Sequence, residues 1–198
     1  MQVSYFKRYR MQIDLHDYDH STQHVLPPGF ELHPWKDSLV EAHAHAKFLS
    51  FQNEIDCNVF PCLGDADGCE RLMNEISSRG GFVPEATWLM TWTDPATDRS
   101  QSIGTVQGIR EQKDVGSIQN IGITSEFRGM GLGTAIVRNS LAGFAEVGVR
   151  FVTLEVTANN SRAYRLYERL GFRILKVVFK SAEVPSVLYY ANDDRIAR

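Results

Sequence analysis

Residues 128 to 134, with the sequence RGMGLGT, place three alternating glycines behind an arginine. Glycine has no side chain to hold a ligand away from the backbone, and the Arg128 guanidinium can donate forked hydrogen bonds to an anion. The apolar spacing that follows predicts a helix over about residues 131 to 147. Because a helix N-terminus offers unpaired N–H groups and a partial positive charge, the segment predicts a phosphate-binding loop. A helix start whose glycines serve only tight packing is the alternative.

Two common phosphate-binding patterns do not fit this loop. A P-loop requires a lysine after its last glycine, but Gly133 is followed by Thr134 and Ala135. A dinucleotide-binding fingerprint requires a glycine or alanine at its last position, and the two ways of aligning it place Thr134 or Ile136 there. The acidic residue that should follow about 20 positions later would have to be Glu155, which lies inside a predicted strand. Nucleoside triphosphates and dinucleotides are therefore poor candidates for the ligand.

Hydrophobic periodicity predicts strands and helices on both sides of the loop. Alternate apolar residues predict a half-buried strand over residues 3 to 15. In the rest of the first half, residues 16–29 are predicted as a connection and residues 30–35 as a short strand. A helix over residues 37–51, a loop over 52–64 and a second helix over 66–79 are predicted to follow. In the second half, a hairpin over residues 87–109 and a strand over 115–123 are predicted before the helix over 131–147. A strand over 151–156, a helix over 160–170 and two strands over 172–179 and 186–190 are predicted to follow. Residues 115 to 156 therefore form a right-handed crossover, with the glycine loop at the carboxyl end of its first strand.

Composition limits the classes of protein that fit. The chain has 198 residues, of which 43% are hydrophobic and 23% charged, so we expect one globular domain over residues 1–198. A net charge of -3 argues against a nucleic-acid binder and against electrostatic docking on anionic lipid. The sequence has neither a signal-peptide pattern nor a stretch approaching the ~20 apolar residues of a membrane span, so a soluble cytoplasmic protein is expected.

The histidines and cysteines predict no metal site. His43 and His45 are two positions apart on a predicted helix, where their side chains point about 200° away from each other, so they cannot chelate one ion together. Cys57, Cys62 and Cys69 include no CxxC pair, so structural zinc is not expected. Their odd number indicates reduced thiols, not a disulfide framework.

Two segments together resemble the motifs of a known family. IGITSEFRGMGLGTAIV followed by LEVTANNSRAYRLYERLGF is similar to the two central motifs of the GNAT superfamily, the acyl-CoA-dependent N-acyltransferases. The matching positions are Arg128, Gly131 and Gly133 in the first motif and Asn160, Ala163, Leu166, Tyr167, Gly171 and Phe172 in the second. The two motifs also occur in the family's order.

The resemblance implies the GNAT fold. This is an α+β or α/β domain with a mixed, mostly antiparallel, twisted sheet of about seven strands, helices on both faces and a splay between two central parallel strands. The predicted strand before residue 16 precedes the family's usual start. We interpret residues 1–29 as an N-terminal extension whose strand pairs with residues 30 to 35. This strand and the C-terminal strands offer edges for a homodimer.

The resemblance also implies acetyl-CoA as a cosubstrate and no metal. Backbone groups of residues 121–123 would bond the pantetheine arm, and the amides of residues 129–134 would hold the pyrophosphate. Asn160 would either bond pantetheine or cap its helix. The residues expected to contact acetyl-CoA are Ile121, Gly122, Ile123, Arg128, Gly129, Met130, Gly131, Leu132, Gly133, Thr134, Asn160, Ala163 and Tyr164.

The expected reaction is acetyl transfer to a primary amine by direct attack in a ternary complex. Tyr167 matches the family's general acid, and its reference pKa of about 10 is close enough to the ~8.5 of a thiol for it to protonate a departing thiolate. A purely structural role is the alternative for Tyr167, since Ala163, Leu166 and Leu170 share its helix face. The competing function is a non-catalytic acyl-CoA-binding sensor or structural module.

The base that removes the amine proton is left open by the sequence. Residues 117–123, on the strand where some relatives carry a glutamate, contain no carboxylate. Glu85, Glu126, a water chain or an amine that arrives neutral remain as alternatives.

The acceptor amine is a small molecule, a protein N-terminus or a lysine. By family analogy its site lies between the first two helices and the nearby strands. The residues predicted to line it are Asp56, Asn58, Phe60, Phe82 and Glu85. A cationic amine suits Asp56, and the alternative for Asp56 is an ordinary loop residue.

Overall fold

The computed structural model describes residues 2 to 18 and 25 to 184. Its strands are β1 (Gln2–Asp14), β2 (Phe30–Pro34), β3 (Phe82–Asp94), β4 (Arg99–Gln112), β5 (Val115–Ile123), β6 (Phe151–Thr157) and β7 (Arg173–Val184). Its helices are α1 (Val40–Phe51), α2 (Asp56–Val59), α3 (Ala66–Ser77), α4 (Leu132–Glu146) and α5 (Ser161–Arg169). Within the two described ranges, no helix is both long and apolar enough to cross a membrane.

These bounds confirm most of the predicted elements. The main difference lies in residues 52–64, which were expected to form a loop. They contain the short helix α2 and a 3-10 turn over Pro61–Gly64. Proline at the first position of a helical turn favours that turn, because its φ is already helical and its missing N–H is not needed there. The predicted strand over residues 186–190 lies outside the described residues.

The seven strands form one sheet in the order β2-β3-β4-β5-β6-β1-β7. Its neighbouring strands are antiparallel except for the central pair of β5 and β6. One face of β5 meets α1, where a Cβ at Gly122 would lie 2.6 Å from Ser50. The other face meets α4, where a Cβ at Gly116 would lie 2.5 Å from the Phe144 ring. The mixed sheet with helices on both faces confirms the predicted fold class.

The first strand, β1, occupies an internal place in the sheet. It pairs with β6, where Met11 lies opposite Leu154, and with β7, where Phe6 lies opposite Lys180. The predicted pairing of this strand with residues 30–35 is wrong, because β2 pairs with β3 at the opposite edge of the sheet. Alternation along a strand indicates which side chains share a face, but it does not identify the neighbouring strands.

The parallel pair separates after a short stretch of pairing. Ser117 and Thr153 are its last paired residues. On the other side of β5, the register with β4 shifts after Gln119, and Asn120 adopts a positive φ of 51°. A β-bulge bends the strand that contains it, so this irregularity accompanies the opening between β5 and β6.

Close packing against β3 fixes the helix that follows the glycine loop. A Cβ at Gly143 of α4 would lie 1.8 Å from the carbonyl oxygen of Glu85, so only glycine allows this approach. One turn earlier, the Ser140 hydroxyl donates to the carbonyl of Ala86 at 2.7 Å. Phe144 of α4 is fully buried, and its ring lies against Gly108 of β4 and Gly116 of β5. The N-terminus of α4 is therefore held in a defined place relative to the sheet.

Candidate active site

A cavity of about 400 Å³ opens where β5 and β6 separate. Its walls come from these two strands, from β1, β4 and β7, from α1, α2, α3 and α5, and from the 3-10 turn over Pro61–Gly64. The predicted site residues that line it are Asp56, Phe60, Ile121, Asn160, Ala163 and Tyr167. The fold therefore gathers residues from both halves of the sequence around the gap in the sheet.

The glycine loop leaves a row of backbone amides unpaired. Gly129 and Gly131 have φ angles of 84° and 81°, a region that residues with side chains disfavour. In the part of the chain that the structure describes, no group accepts a hydrogen bond from the amides of residues 129 to 133, whereas the Thr134 amide donates to Gly131 at 3.0 Å. Because α4 is 15 residues long, its dipole adds positive charge at this end. Unpaired amides and positive charge at a helix N-terminus are the features that favour binding of an anion.

The Arg128 side chain is engaged by the protein. Its Nε donates to the carbonyl of Ile123 at 2.8 Å, and its Nη2 donates to the carbonyl of Ser50 at 2.9 Å. Its Nη1 pairs with Glu54. Since all three nitrogens have partners, the arginine joins the loop to the end of α1 and to β5 and is not directed as a free fork toward an anion. The Ile123 carbonyl, expected to face pantetheine, already accepts one of these bonds.

Tyr167 brings a buried phenol to the cavity. The residue is 6% exposed, and its ring packs edge-on against Phe172 with the centroids 6.0 Å apart. Burial raises the pKa of Tyr167 well above its ordinary value, the Asp56 carboxylate raises it further, and the Arg8 guanidinium opposes this change. Its hydroxyl is therefore a protonated hydrogen-bond donor at physiological pH.

The start of α5 shows a local role for Asn160. Its Oδ1 accepts a hydrogen bond from the Ala163 amide at 3.2 Å, which caps the helix. Tyr164 does not line the cavity: its ring lies 5.5 Å from that of Tyr9, and its hydroxyl donates to Glu168 at 3.2 Å. Of the two roles expected for Asn160, capping accounts for the geometry of its side chain.

Asp56 meets an arginine that the sequence did not single out. Arg8 Nη1 lies 3.1 Å from Asp56 Oδ1, and the Thr157 hydroxyl donates to the same oxygen at 2.9 Å. The Arg8 guanidinium also lies 5.0 Å from the centre of the Phe60 ring. Arg8 and Arg10 occupy alternate positions of β1, between its core residues, and this polar second face was the available signal.

Three carboxylates and three cations line the cavity in the described residues: Asp56, Glu111 and Glu155, with Arg8, Arg10 and Lys180. Arg10 Nη2 lies 2.6 Å from Glu111 Oε2. The Lys180 ammonium lies 3.9 Å from the centre of the Phe60 ring, on which Arg8 also packs. Of these six charged residues, the sequence predicted only Asp56 at the site. The cavity therefore offers both signs of charge to a ligand.

Comparison with known proteins identifies the family. A model of the acetyltransferase (GNAT) family matches residues 67–172, which is more than half of the chain. The chain belongs to the GNAT family. The matched residues include the glycine loop, the splayed strands β5 and β6, and α5.

Curated relatives carry acetyltransferase names. A mycothiol acetyltransferase from Nocardiopsis dassonvillei is 31% identical over 96 residues, which are 48% of this GNAT chain and 26% of the relative. A mycothiol acetyltransferase from Corynebacterium glutamicum is 27% identical over 165 residues, 83% of this chain and 53% of the relative. An N-alpha-acetyltransferase from Sulfurisphaera tokodaii is 38% identical over 64 residues, 32% of this chain and 38% of the relative. The GNAT chain thus spans about half, or less, of these relatives.

Solved structures share the fold. A GCN5-related N-acetyltransferase from Sphaerobacter thermophilus superposes with a TM-score of 0.64 at 21% identity, over 89% of this GNAT chain and 50% of that one. An aminoglycoside N-acetyltransferase in complex with CoA superposes with a TM-score of 0.56 at 14% identity, over 78% of this chain and 97% of that one. At these identities the likeness establishes the common architecture.

Three residues predicted for the acceptor site, Asn58, Phe82 and Glu85, do not line the cavity in this GNAT chain. Phe82 and Glu85 do not line the cavity, because β3 is separated from the gap by β4 and β5. Phe82 packs edge-on against Trp35 with the ring centroids 4.9 Å apart. The Glu85 carbonyl accepts a hydrogen bond from Trp88 Nε1 at 2.9 Å. Glu126, in the 3-10 turn before the glycine loop, does not line the cavity either.

Proposed function

We propose that this chain transfers an acetyl group from acetyl-CoA to a primary amine, with both substrates bound together. The observation that carries the proposal is the buried Tyr167 phenol, which lines the cavity where β5 and β6 separate. The acetyltransferase names of the relatives support the same reaction class.

The unpaired amides of residues 129–133 support binding of the CoA pyrophosphate. A pyrophosphate is an anion with several acceptor oxygens, and the amides and the dipole of α4 supply donors and positive charge in the same place. The site needs no side-chain cation for this purpose. In this proposal Arg128 acts through its bonds to Ser50 and Ile123, which hold the loop in position.

The separation of the parallel strands supports a place for the pantetheine arm. After Ser117 the backbone of β5 has no strand partner on the side of β6. Backbone N–H and C=O groups require partners, and the two amides of pantetheine supply matching ones. Residues 121–123 would therefore bond the arm, as the family resemblance implies, with the thioester close to Tyr167.

Tyr167 would act as the general acid. Its raised pKa keeps the hydroxyl protonated until the C–S bond breaks, and the thiolate then provides a strong acceptor for the proton. Burial also prevents water from competing for this hydroxyl. Both effects come from its position on α5, between the cavity and Phe172.

Thiol release from acetyl-CoA tests the proposal, with ethanolamine, putrescine, glucosamine, L-alanine amide and Nα-acetyl-lysine amide as acceptors. We expect turnover with at least one amine, and we expect Tyr167→Phe to reduce kcat by about 10²-fold or more without weakening CoA binding. Tyr5→Phe, at a 71% exposed position on β1, is the matched control. Tight acetyl-CoA binding without turnover across the panel would favour the non-catalytic module instead.

The loop assignment has its own test. Arg128→Ala should weaken CoA binding, measured by calorimetry, because the loop loses its ties to α1 and β5. Arg71→Ala, which removes an exposed arginine from α3, should leave the dissociation constant unchanged. An unchanged constant for Arg128→Ala as well would overturn the positioning role.

A further inference from the structure

We infer that the acceptor amine also carries an anionic group, a carboxylate or a phosphate, which binds at Lys180, an inference that rests on the proposed acetyl transfer. Lys180 belongs to β7, lines the cavity and is exposed, so a ligand can reach its ammonium. In the described part of the chain this ammonium has no carboxylate partner. It packs on the Phe60 ring, 3.9 Å from the ring centre. Lys180 thus presents an unneutralised positive charge to a ligand.

The other two cations of the cavity differ from Lys180 in this respect. Arg10 Nη2 lies 2.6 Å from Glu111 Oε2. Arg8 Nη1 lies 3.1 Å from Asp56 Oδ1. The protein therefore supplies a carboxylate to each guanidinium, whereas a ligand would have to supply the one that Lys180 lacks. Charge-assisted hydrogen bonds to an ammonium are among the stronger polar contacts in proteins, so such a ligand is favoured.

The charge around Arg8 has the opposite sign. The Glu155 carboxylate lies 3.5 Å from Arg8 Nε, so Asp56 and Glu155 share one guanidinium and the group has one net negative charge. This group lies close to Tyr167, because Asp56 and Arg8 both act on the pKa of that phenol. The cavity is therefore negative near the phenol and positive at Lys180. A zwitterion with its ammonium toward the phenol complements both charges.

The position of Lys180 separates this anionic group from the pyrophosphate of CoA. The glycine loop follows β5, and the sheet order β5-β6-β1-β7 places β7 three strands away. Neighbouring strands lie about 4.8 Å apart, so roughly 14 Å or more separates the two places. The Phe60 ring connects Lys180 to the wall near the phenol instead, because Arg8 packs on the same ring, 5.0 Å from its centre. The anionic group at Lys180 therefore belongs to the second substrate.

The test uses two pairs of acceptors whose members differ by one anionic group. The pairs are 3-aminopropanoate with 3-aminopropanamide, and O-phosphoethanolamine with ethanolamine. For each pair, the preference is kcat/KM of the anionic amine divided by kcat/KM of the neutral one. Lys180→Gln should reduce this preference by about 10-fold or more, and Lys180→Arg should retain most of it. The unequal basicity of the paired amines cancels, because it is the same for both enzymes.

A lysine on the same strand provides the matched control. Lys176 is exposed and lies four positions before Lys180, on the same face of β7, but it does not line the cavity. Lys176→Gln removes the same charge and should retain the wild-type preference. Equal losses of preference in Lys176→Gln and Lys180→Gln would mean that the general field of the strand is responsible, and they would overturn the assignment to Lys180.

Binding measurements distinguish the acceptor from CoA as the source of the anion. Dissociation constants for CoA and for dephospho-CoA, which lacks the 3′-phosphate, are compared in the wild type and in Lys180→Gln. We expect the substitution to affect both constants equally. Weaker binding of CoA alone would show that Lys180 holds the 3′-phosphate, and the inference would then be wrong.

A readout without turnover separates this inference from the proposed function. O-phosphoethanolamine should raise the Tm of the CoA-bound wild type more than ethanolamine does, and Lys180→Gln should remove the difference. Equal shifts by both compounds, or a difference that survives in Lys180→Gln, would overturn the inference while leaving acetyl transfer in place. A difference that depends on Lys180, together with no turnover of any amine, would remove the proposed function and leave the anion site.

Discussion

Arg8 Nη1 lies 3.1 Å from Asp56 Oδ1, and this pair joins the first strand of the sheet to α2 at the cavity wall. The two side chains are only 7% and 14% exposed. The Thr157 hydroxyl completes the contact, since it accepts from Arg8 at 2.7 Å and donates to Asp56 at 2.9 Å. This part of the cavity wall is therefore held together by a nearly buried ion pair between residues distant in sequence.

Removal of one partner from this pair should be costly. Arg8→Met leaves Asp56 with little solvent and no cation, and we expect a loss of about 3 to 5 kcal/mol in the free energy of unfolding. The double variant Arg8→Met/Asp56→Asn should be more stable than Arg8→Met alone. Urea unfolding of the wild type, the two single variants and the double variant measures the coupling energy between Arg8 and Asp56. Stability losses that simply add in the double variant would contradict this coupling. Arg150→Met, which breaks the exposed Arg150–Asp14 pair, should cost far less stability, because water screens that pair.

Replacement of Lys47 should stabilise the fold. Lys47 is fully buried on α1, with its ammonium 3.7 Å from the sulfur of Met73, and burial lowers its pKa to about 8. The lowering from the ordinary pKa of 10.5 is the cost of burying the charged ammonium. Since Lys47→Met removes that charge, it should raise the free energy of unfolding at pH 7 by something on the order of 3 kcal/mol.

The stability cost of Lys47 should depend on pH. Between pH 8 and 10.5 the unfolded chain binds a proton at Lys47 that the folded chain has released, so wild-type stability rises through this window. The advantage of Lys47→Met should accordingly shrink in urea titrations from pH 8 to 10.5. A stability gain from Lys47→Met that is the same at every pH would contradict the lowered pKa of Lys47. Lys36→Met, at an exposed position, should change stability by less than about 0.5 kcal/mol.

Acid should destabilise the protein through His43. This imidazole is fully buried, with Nδ1 2.8 Å from the Thr105 hydroxyl, and burial followed by the charge of Lys47 lowers its pKa to about 3. Below the unfolded value of 6.5 only the unfolded chain gains the proton, so His43 should remove about 1.4 kcal/mol of stability per pH unit down to about 3. His43→Gln should flatten this slope in urea titrations between pH 6.5 and 4. The exposed neighbour His45 provides the control, because His45→Gln should retain the wild-type slope.

Gly143→Ala should destabilise the protein although alanine favours helices. The new Cβ would lie 1.8 Å from the Glu85 carbonyl oxygen, a backbone atom that cannot move without β3. The cost of overpacking, about 1 to 3 kcal/mol or more, exceeds the gain of about 1 kcal/mol in helix propensity. Thermal unfolding would show a lower Tm, and an unchanged or higher Tm would mean that α4 and β3 are not in this contact. Gly80→Ala, where the Cβ meets nothing within 4 Å, should have little effect.

Local sequence pattern was sufficient to predict most of the elements and part of the site. Periodicity located β5 at residues 115–123, and the motif residues Asn160, Ala163 and Tyr167 all line the cavity. These features depend on neighbours close in sequence. Family membership then followed from two motifs that lie on consecutive elements.

The contacts that could not be predicted from the sequence depend on pairing between elements that are distant in the chain. Arg8 reaches Thr157 only because β1 pairs with β6, and a period-2 pattern contains no information about such a partner. The same applies to Arg128, whose spacing indicates a phosphate loop while its hydrogen-bond partners, Ser50 and Ile123, depend on where α1 ends. The place of Glu155 in the cavity wall likewise depends on the point at which β5 and β6 part.

The internal place of β1 has a consequence for how the protein is made. The ribosome produces β1 before both of its neighbours, which lie in residues 151–184, and the Arg8–Thr157 bond spans 149 positions. Closing so long a loop carries a large entropic cost and slows folding. In a nascent chain, β1 therefore lacks both of its strand neighbours until residues 151–184 have been made, and the cavity lacks the walls that β6 and β7 supply.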